Sequence, residues 1–163
     1  MKRLVVLCTL LTACAREAPP AAAPAPDPLA QLDTRSALPL LPMMANHQKQ
    51  NMRDHLVAVQ EIVAAAAVDD FDAVARAVGR IGFSEQMGQM CTHMGTGAPG
   101  FAEQAVEFHH TADRIAAAAR ERDRAGVLRH LDATLQACTT CHAQWKQQVV
   151  DDATWQKLAA SAR

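Results

Sequence analysis

Tyrosine is absent from this chain, and aromatic residues supply only 4 % of it. Strand cores draw on aromatic and β-branched side chains, so their scarcity argues against a sheet protein. No strand pattern of any length and no internal repeat is visible. An excess of charge is lacking too. The formal net charge is −1 over 163 residues, which excludes the broad field a nucleic acid or an acidic membrane surface would require. The five cysteines are an odd number, which argues against a disulfide framework. What is present in quantity is alanine, the strongest helix former, within an apolar half of the composition. The length suffices for one domain with a real core.

The start reads as an export signal. Lys2 and Arg3 supply the positive end, and Leu4 to Leu11 an apolar run too short to span a bilayer. Leu11-Thr12-Ala13-Cys14 resembles a bacterial lipoprotein cleavage site, in which the cysteine becomes the lipidated first residue; an ordinary secretory cut a little later is the alternative. Residues 1–13 are then signal. Residues 14–37 form a lipid-anchored tether, with Pro19, Pro20, Pro24, Pro26 and Pro28 among alanines, a composition that stays extended. The domain is expected over 38–163, in the periplasm and held to a membrane through Cys14.

Apolar spacing predicts four helices. The first runs from Pro42 to Ala67 with a stripe of Ala45, Met52, Leu56, Val59, Val63 and Ala66, interrupted by Gln48. Asp69 and Asp70 serve as turn and N-cap for a second. That helix carries Phe71, Val74, Val78 and Ile81 and continues through Met87, Met90 and Met94, with a kink expected at Gly79 and Gly82. Gly95, Gly97, Pro99 and Gly100 break the chain. The third helix holds Phe101, Ala105, Phe108, Ala112, Ile115 and Ala119. The fourth holds Leu128, Leu131, Leu135, Cys138, His142, Trp145 and Val149 in alternating steps of three and four. Short links favour antiparallel neighbours, so an all-α, up-down-up-down four-helix bundle is the expected fold.

Cys138-Thr139-Thr140-Cys141-His142 is the C-x-x-C-H pattern of c-type haem attachment. Two thiols one helical turn apart can each add to a porphyrin vinyl group, and the following imidazole is presented to the iron. A redox dithiol usually opens a helix beside a sheet, whereas this motif lies deep within one. A zinc site lacks its second ligand pair at the usual spacing. The fourth helix, ending Cys138-Thr-Thr-Cys-His142-Ala-Gln-Trp145-Lys146, resembles the C-terminal haem helix of the cytochrome c-prime superfamily, and the third helix, with Phe108 and its alanine run to Ala119, is similar as well. The resemblance implies one haem c near one end of a four-helix bundle, joined to Cys138 and Cys141, with His142 as proximal ligand. It implies electron transfer or the binding of small gases such as NO or CO, and proteins of that superfamily often form homodimers through their first two helices.

The sixth iron position separates those functions. His142 stands roughly 12 Å from the expected end of its helix, and a similar distance into the antiparallel first helix reaches Met52, on the predicted apolar face. A thioether there makes a low-spin electron-transfer haem. An ungapped comparison with the family instead sets Lys49 at that position. An open five-coordinate iron or another side chain are the alternatives. Trp145 is expected against the haem edge, and Arg114 or Lys146 beside a propionate. Met87, Met90, Cys91, His93 and Met94, extended by Met43, Met44 and His47, are either soft packing or a Cu(I) site, with packing favoured. His55, His109, His110 and His130 are expected at exposed or capping positions. A peroxidase would need a polar distal acid–base group that the sequence does not supply. The reading is therefore an electron carrier between redox partner proteins and not an enzyme, with a high-spin gas-binding protein as alternative.

Overall fold

The computed structural model describes residues 32–161; the predicted signal, Cys14 and nearly all of the tether lie outside them. The chain divides into Met1–Asp33, of which only Leu32 and Asp33 are described, and the folded unit Thr34–Arg163.

The described residues are 73 % helical. They run in the order β1 (Ser36–Leu40), α1 (Pro42–Ala67), α2 (Phe71–Val78), α3 (Glu85–Met94), α4 (Phe101–Arg120), α5 (Arg124–Gln144), β2 (Trp145–Val149) and α6 (Asp152–Ser161). Pro42 occupies the first turn of α1, where its missing N–H costs nothing. Asp70 caps α2 by accepting from the Ala73 N–H at 2.9 Å. The turn before it holds Asp69 at φ 60°, and the α4–α5 turn holds Arg122 at φ 55°. The Asp69 carboxylate takes both a 2.6 Å bond from Arg124 Nε and a second bond from its Nη2, so the two turns lie at the same end.

Two departures from the sequence reading stand out. The second predicted helix is two helices: α2 stops at Gly79, and Ser84 caps α3 by accepting from the Met87 N–H at 3.2 Å. The Gly79–Gly82 stretch ends the helix rather than kinking it. The fourth helix stops at Gln144, and Trp145–Val149 forms a strand parallel to Ser36–Leu40, in the register Ser36 to Trp145 and Leu40 to Val149. The expectation of no strand fails there. The second half of β1, Leu38, Pro39 and Leu40, is buried throughout, and the apolar surface so removed from water favours the strand pair over a helix continued past Gln144.

The core has two parts. The larger gathers Ala58, Ile62 and Ala66 of α1, Phe71, Val74 and Val78 of α2, Ala112 and Ile115 of α4, and Val127 and Leu131 of α5. The smaller surrounds Trp145 with Leu38, Leu40, Ala45, Met94, Ala98 and Phe101. Alanines fill much of the space where helices meet, so the buried side of α1 is Ala45, Gln48, Ala58, Ile62, Ala65 and Ala66. Met52, Leu56 and Val63 of the predicted stripe, and Leu128 and Leu135 of α5, stay exposed.

Candidate haem-attachment site

The motif closes α5. Cys138 and Cys141 are free thiols, both half-buried, and His142 on the last turn is exposed. Cys141 packs at the edge of the smaller core, beside the cluster that Met44, Met90 and Ala105 also flank. Burial pushes both thiols up from their usual pKa, and Cys138 adds to the shift on Cys141. Redox and nucleophilic cysteines need the opposite, a lowered pKa in an electropositive setting. Neither thiol therefore has the electropositive setting of a redox or nucleophilic cysteine.

Exposed apolar side chains stand along both α1 and α5. Met52, Leu56, Val59 and Val63 recur at steps of four, three and four along one face of α1, and Leu128, Leu135 and His142 recur at sevens along one face of α5. Leu56 is 69 % exposed and Leu128 50 %. The two helices touch only sparingly, unlike α4 and α5. The predicted stripes split: Ala45, Ala66 and Leu131 are buried and Val59 packs against the larger core, whereas Met52, Leu56, Val63, Leu128 and Leu135 look outward. Two free thiols one turn apart, an exposed imidazole on the same helix end and Leu135 exposed one turn before Cys138 fit a large flat apolar group held through sulfur.

Met52 lies on the outward face of α1 at 39 % exposure, with no polar bond that would compete for its sulfur. The common end of the two turns places the start of α1 and the end of α5 at the opposite end, but α5 stops at Gln144, so His142 lies two residues from its helix end while Met52 lies ten residues into α1, and the equal depth argued for Met52 is lost. Lys49, the family-aligned alternative, is exposed on the preceding turn. Trp145 is buried and belongs to β2 rather than to α5. Its ring meets Phe101 edge-on at 5.7 Å, and its Nε1–H donates to Gln104 Oε1 at 2.7 Å. Arg114 is paired with Glu107 at 3.3 Å.

The histidines divide differently from expectation. His109 is almost fully buried, its Nδ1–H donating to the Ile81 carbonyl at 2.8 Å. His55 is half-buried, stacked on Phe108 at 5.1 Å and edge-on to His109 at 5.6 Å. Burial pushes His55 down to about 4, with His109 adding to the fall and Asp54 opposing it. Burial lowers His109 as well. Sequence reasoning missed this pair because neither residue sits on a predicted stripe; the step of three from Met52 to His55 was the available signal.

In the methionine-rich helix, Met90 and Met94 pack with Met44 in the smaller core. Cys91 and Met94 are buried, whereas His93 is exposed and turned to the Trp155 ring at 5.2 Å. Among the described residues, no group of three or more His, Cys, Asp or Glu side chains is placed to hold a metal ion. Among the same residues, no helix is long and apolar enough to cross a membrane.

No protein-family model, curated protein or solved structure matches the chain.

Proposed function

We propose that this chain is an exported c-type cytochrome that passes single electrons between redox partner proteins. Cys138 and Cys141 hold one haem covalently, and His142 is its proximal iron ligand. The observation that carries the reading is the C-x-x-C-H motif on the end of α5, with both thiols free and the His142 side chain exposed. The bound haem supplies one-electron chemistry. The chain's own residues cover its faces, hold it by two sulfurs and exclude water from its apolar edge. In this reading α1, α2, α4 and α5 are the four helices of an up-down-up-down bundle, with α3 inserted in the link between the second and third. Lipidation at Cys14 keeps the domain at a membrane in the periplasm.

Met52 is the proposed distal ligand, since it stands unburied on the open face of α1 in the motif's half of the helix. Its thioether gives a six-coordinate iron suited to electron transfer. The test is an optical spectrum of protein produced with a periplasmic haem-attachment system, read before and after CO. Sharp low-spin bands that CO leaves unmoved, and that Met52→Ala converts to CO-sensitive ones, support the reading. A broad high-spin spectrum that shifts with CO in the unmutated protein replaces it with gas binding.

A further inference from the structure

The end of α5 is closed by a residue from the other terminus of the folded unit. A helix leaves its last four carbonyls without intrahelical partners. In α5 the chain turns extended at Trp145, whose N–H returns to the Cys141 carbonyl. The carbonyl of His142 has its would-be helical donor, the N–H of Lys146, in β2 instead. Arg35 fills this place. The parallel register sets Ser36 beside Trp145, so the residue just before β1 falls at the tip of α5. Its Nη1 donates to the His142 carbonyl at 3.2 Å and to the Trp145 carbonyl at 3.4 Å. A cation here also suits the negative end of the helix dipole.

We propose that Arg35 is a positioning residue for the iron: by holding the backbone carbonyls of His142 and Trp145 it fixes the rotation of the His142 imidazole. The inference rests on the haem reading above. The imidazole hangs from the same residue whose carbonyl is held, on the last turn of a helix, where fraying is easiest. With the guanidinium in place that turn has one arrangement. Without it the turn samples several, and the ring plane of the proximal ligand varies with them. The guanidinium also puts positive charge beside the ligand, which favours the reduced iron.

The test uses the haem-loaded full chain and its Arg35→Ala and Arg35→Lys variants, read by ferric electron paramagnetic resonance and by redox titration. Arg35→Ala is expected to keep its covalent haem, to show a broadened or second ferric signal, and to titrate at a lower midpoint potential. Arg35→Lys is expected to return the single signal, because an ammonium can reach the same carbonyls. An Arg35→Ala protein with the unmutated signal and potential overturns the proposal, even if it melts earlier, since Arg35 is then only a strand anchor. Should Arg35→Ala fail to accumulate, Arg35→Met keeps the reach of the side chain with no donor, and an unmoved signal and potential there overturn the proposal equally. If the unmutated protein carries no covalent haem, the functional reading itself has failed and this inference falls with it.

Discussion

At the scale of single residues, the two neutral histidines set how the domain responds to acid. His55 stacks on Phe108, and His109 holds the Ile81 carbonyl; both are neutral in the folded state because burial penalises their charged forms. In the unfolded chain each titrates near 6.5. A folded pKa below the unfolded one means that unfolding takes up protons as the pH falls. Stability is therefore full above about pH 6.5 and declines towards pH 4, where His55 finally charges in place. Each unit of difference is worth about 1.4 kcal/mol, so His55 accounts for a loss of about 2–3 kcal/mol over that range. Urea titrations at pH 7, 6, 5 and 4 should show this decline, and His55→Phe should flatten it. An unchanged slope in that variant would assign the acid sensitivity elsewhere. Replacing His109 is a different experiment, because it strands the Ile81 carbonyl; His109→Ala should cost about 2–4 kcal/mol at neutral pH in the same titration.

At the scale of elements, the β1–β2 pair is where sequence and structure part. Leu38 is 2 % exposed, while Ala37 beside it faces solvent. Leu38→Ala should cost about 2–5 kcal/mol by urea denaturation, and Ala37→Ser should stay within about 0.5 kcal/mol. Equal effects would mean that the strand is not part of the core. The motif, the helix start at Pro42, the Asp69–Asp70 turn and the break before Phe101 were all legible locally, since each is written in neighbouring residues, whereas the motif, expected deep within its helix, stands at the end of one. The strand was not. A strand of five residues is visible only through its partner, and Trp145–Val149 continues the three-and-four spacing of α5 without interruption. Which face of α1 and α5 is buried was equally hidden. Ranking positions by apolar size put Met52, Leu56 and Leu135 in the core, but helices that pack closely do so on small side chains, and this chain has alanines to spend on them. The buried histidines escaped for a related reason: His109 earns its place by one hydrogen bond to a carbonyl 28 residues away, which no local pattern reveals.

At the scale of the whole molecule, an apolar surface left open on two helices calls for a cover. Leu56, Val63, Leu128 and Leu135 are each at least 39 % exposed, and the first two share a face with Met52. Contiguous exposed apolar surface is rare unless something binds there. If the cover is the haem joined to Cys138 and Cys141, the exported double variant Cys138→Ala/Cys141→Ala keeps those faces wet. Covering on the order of 200 Å² of apolar surface is worth about 5 kcal/mol. For a domain of this size that corresponds to a fall in Tm of about 10–20 °C on losing the haem. The variant should also bind a hydrophobic dye that the loaded protein excludes. Calorimetry and dye fluorescence on the two proteins side by side decide the matter. A variant that melts within about 2 °C of the loaded protein and excludes the dye has its faces covered in another way. Sedimentation would then show whether a second copy supplies the cover, since self-association buries the same side chains only at the cost of making stability depend on concentration.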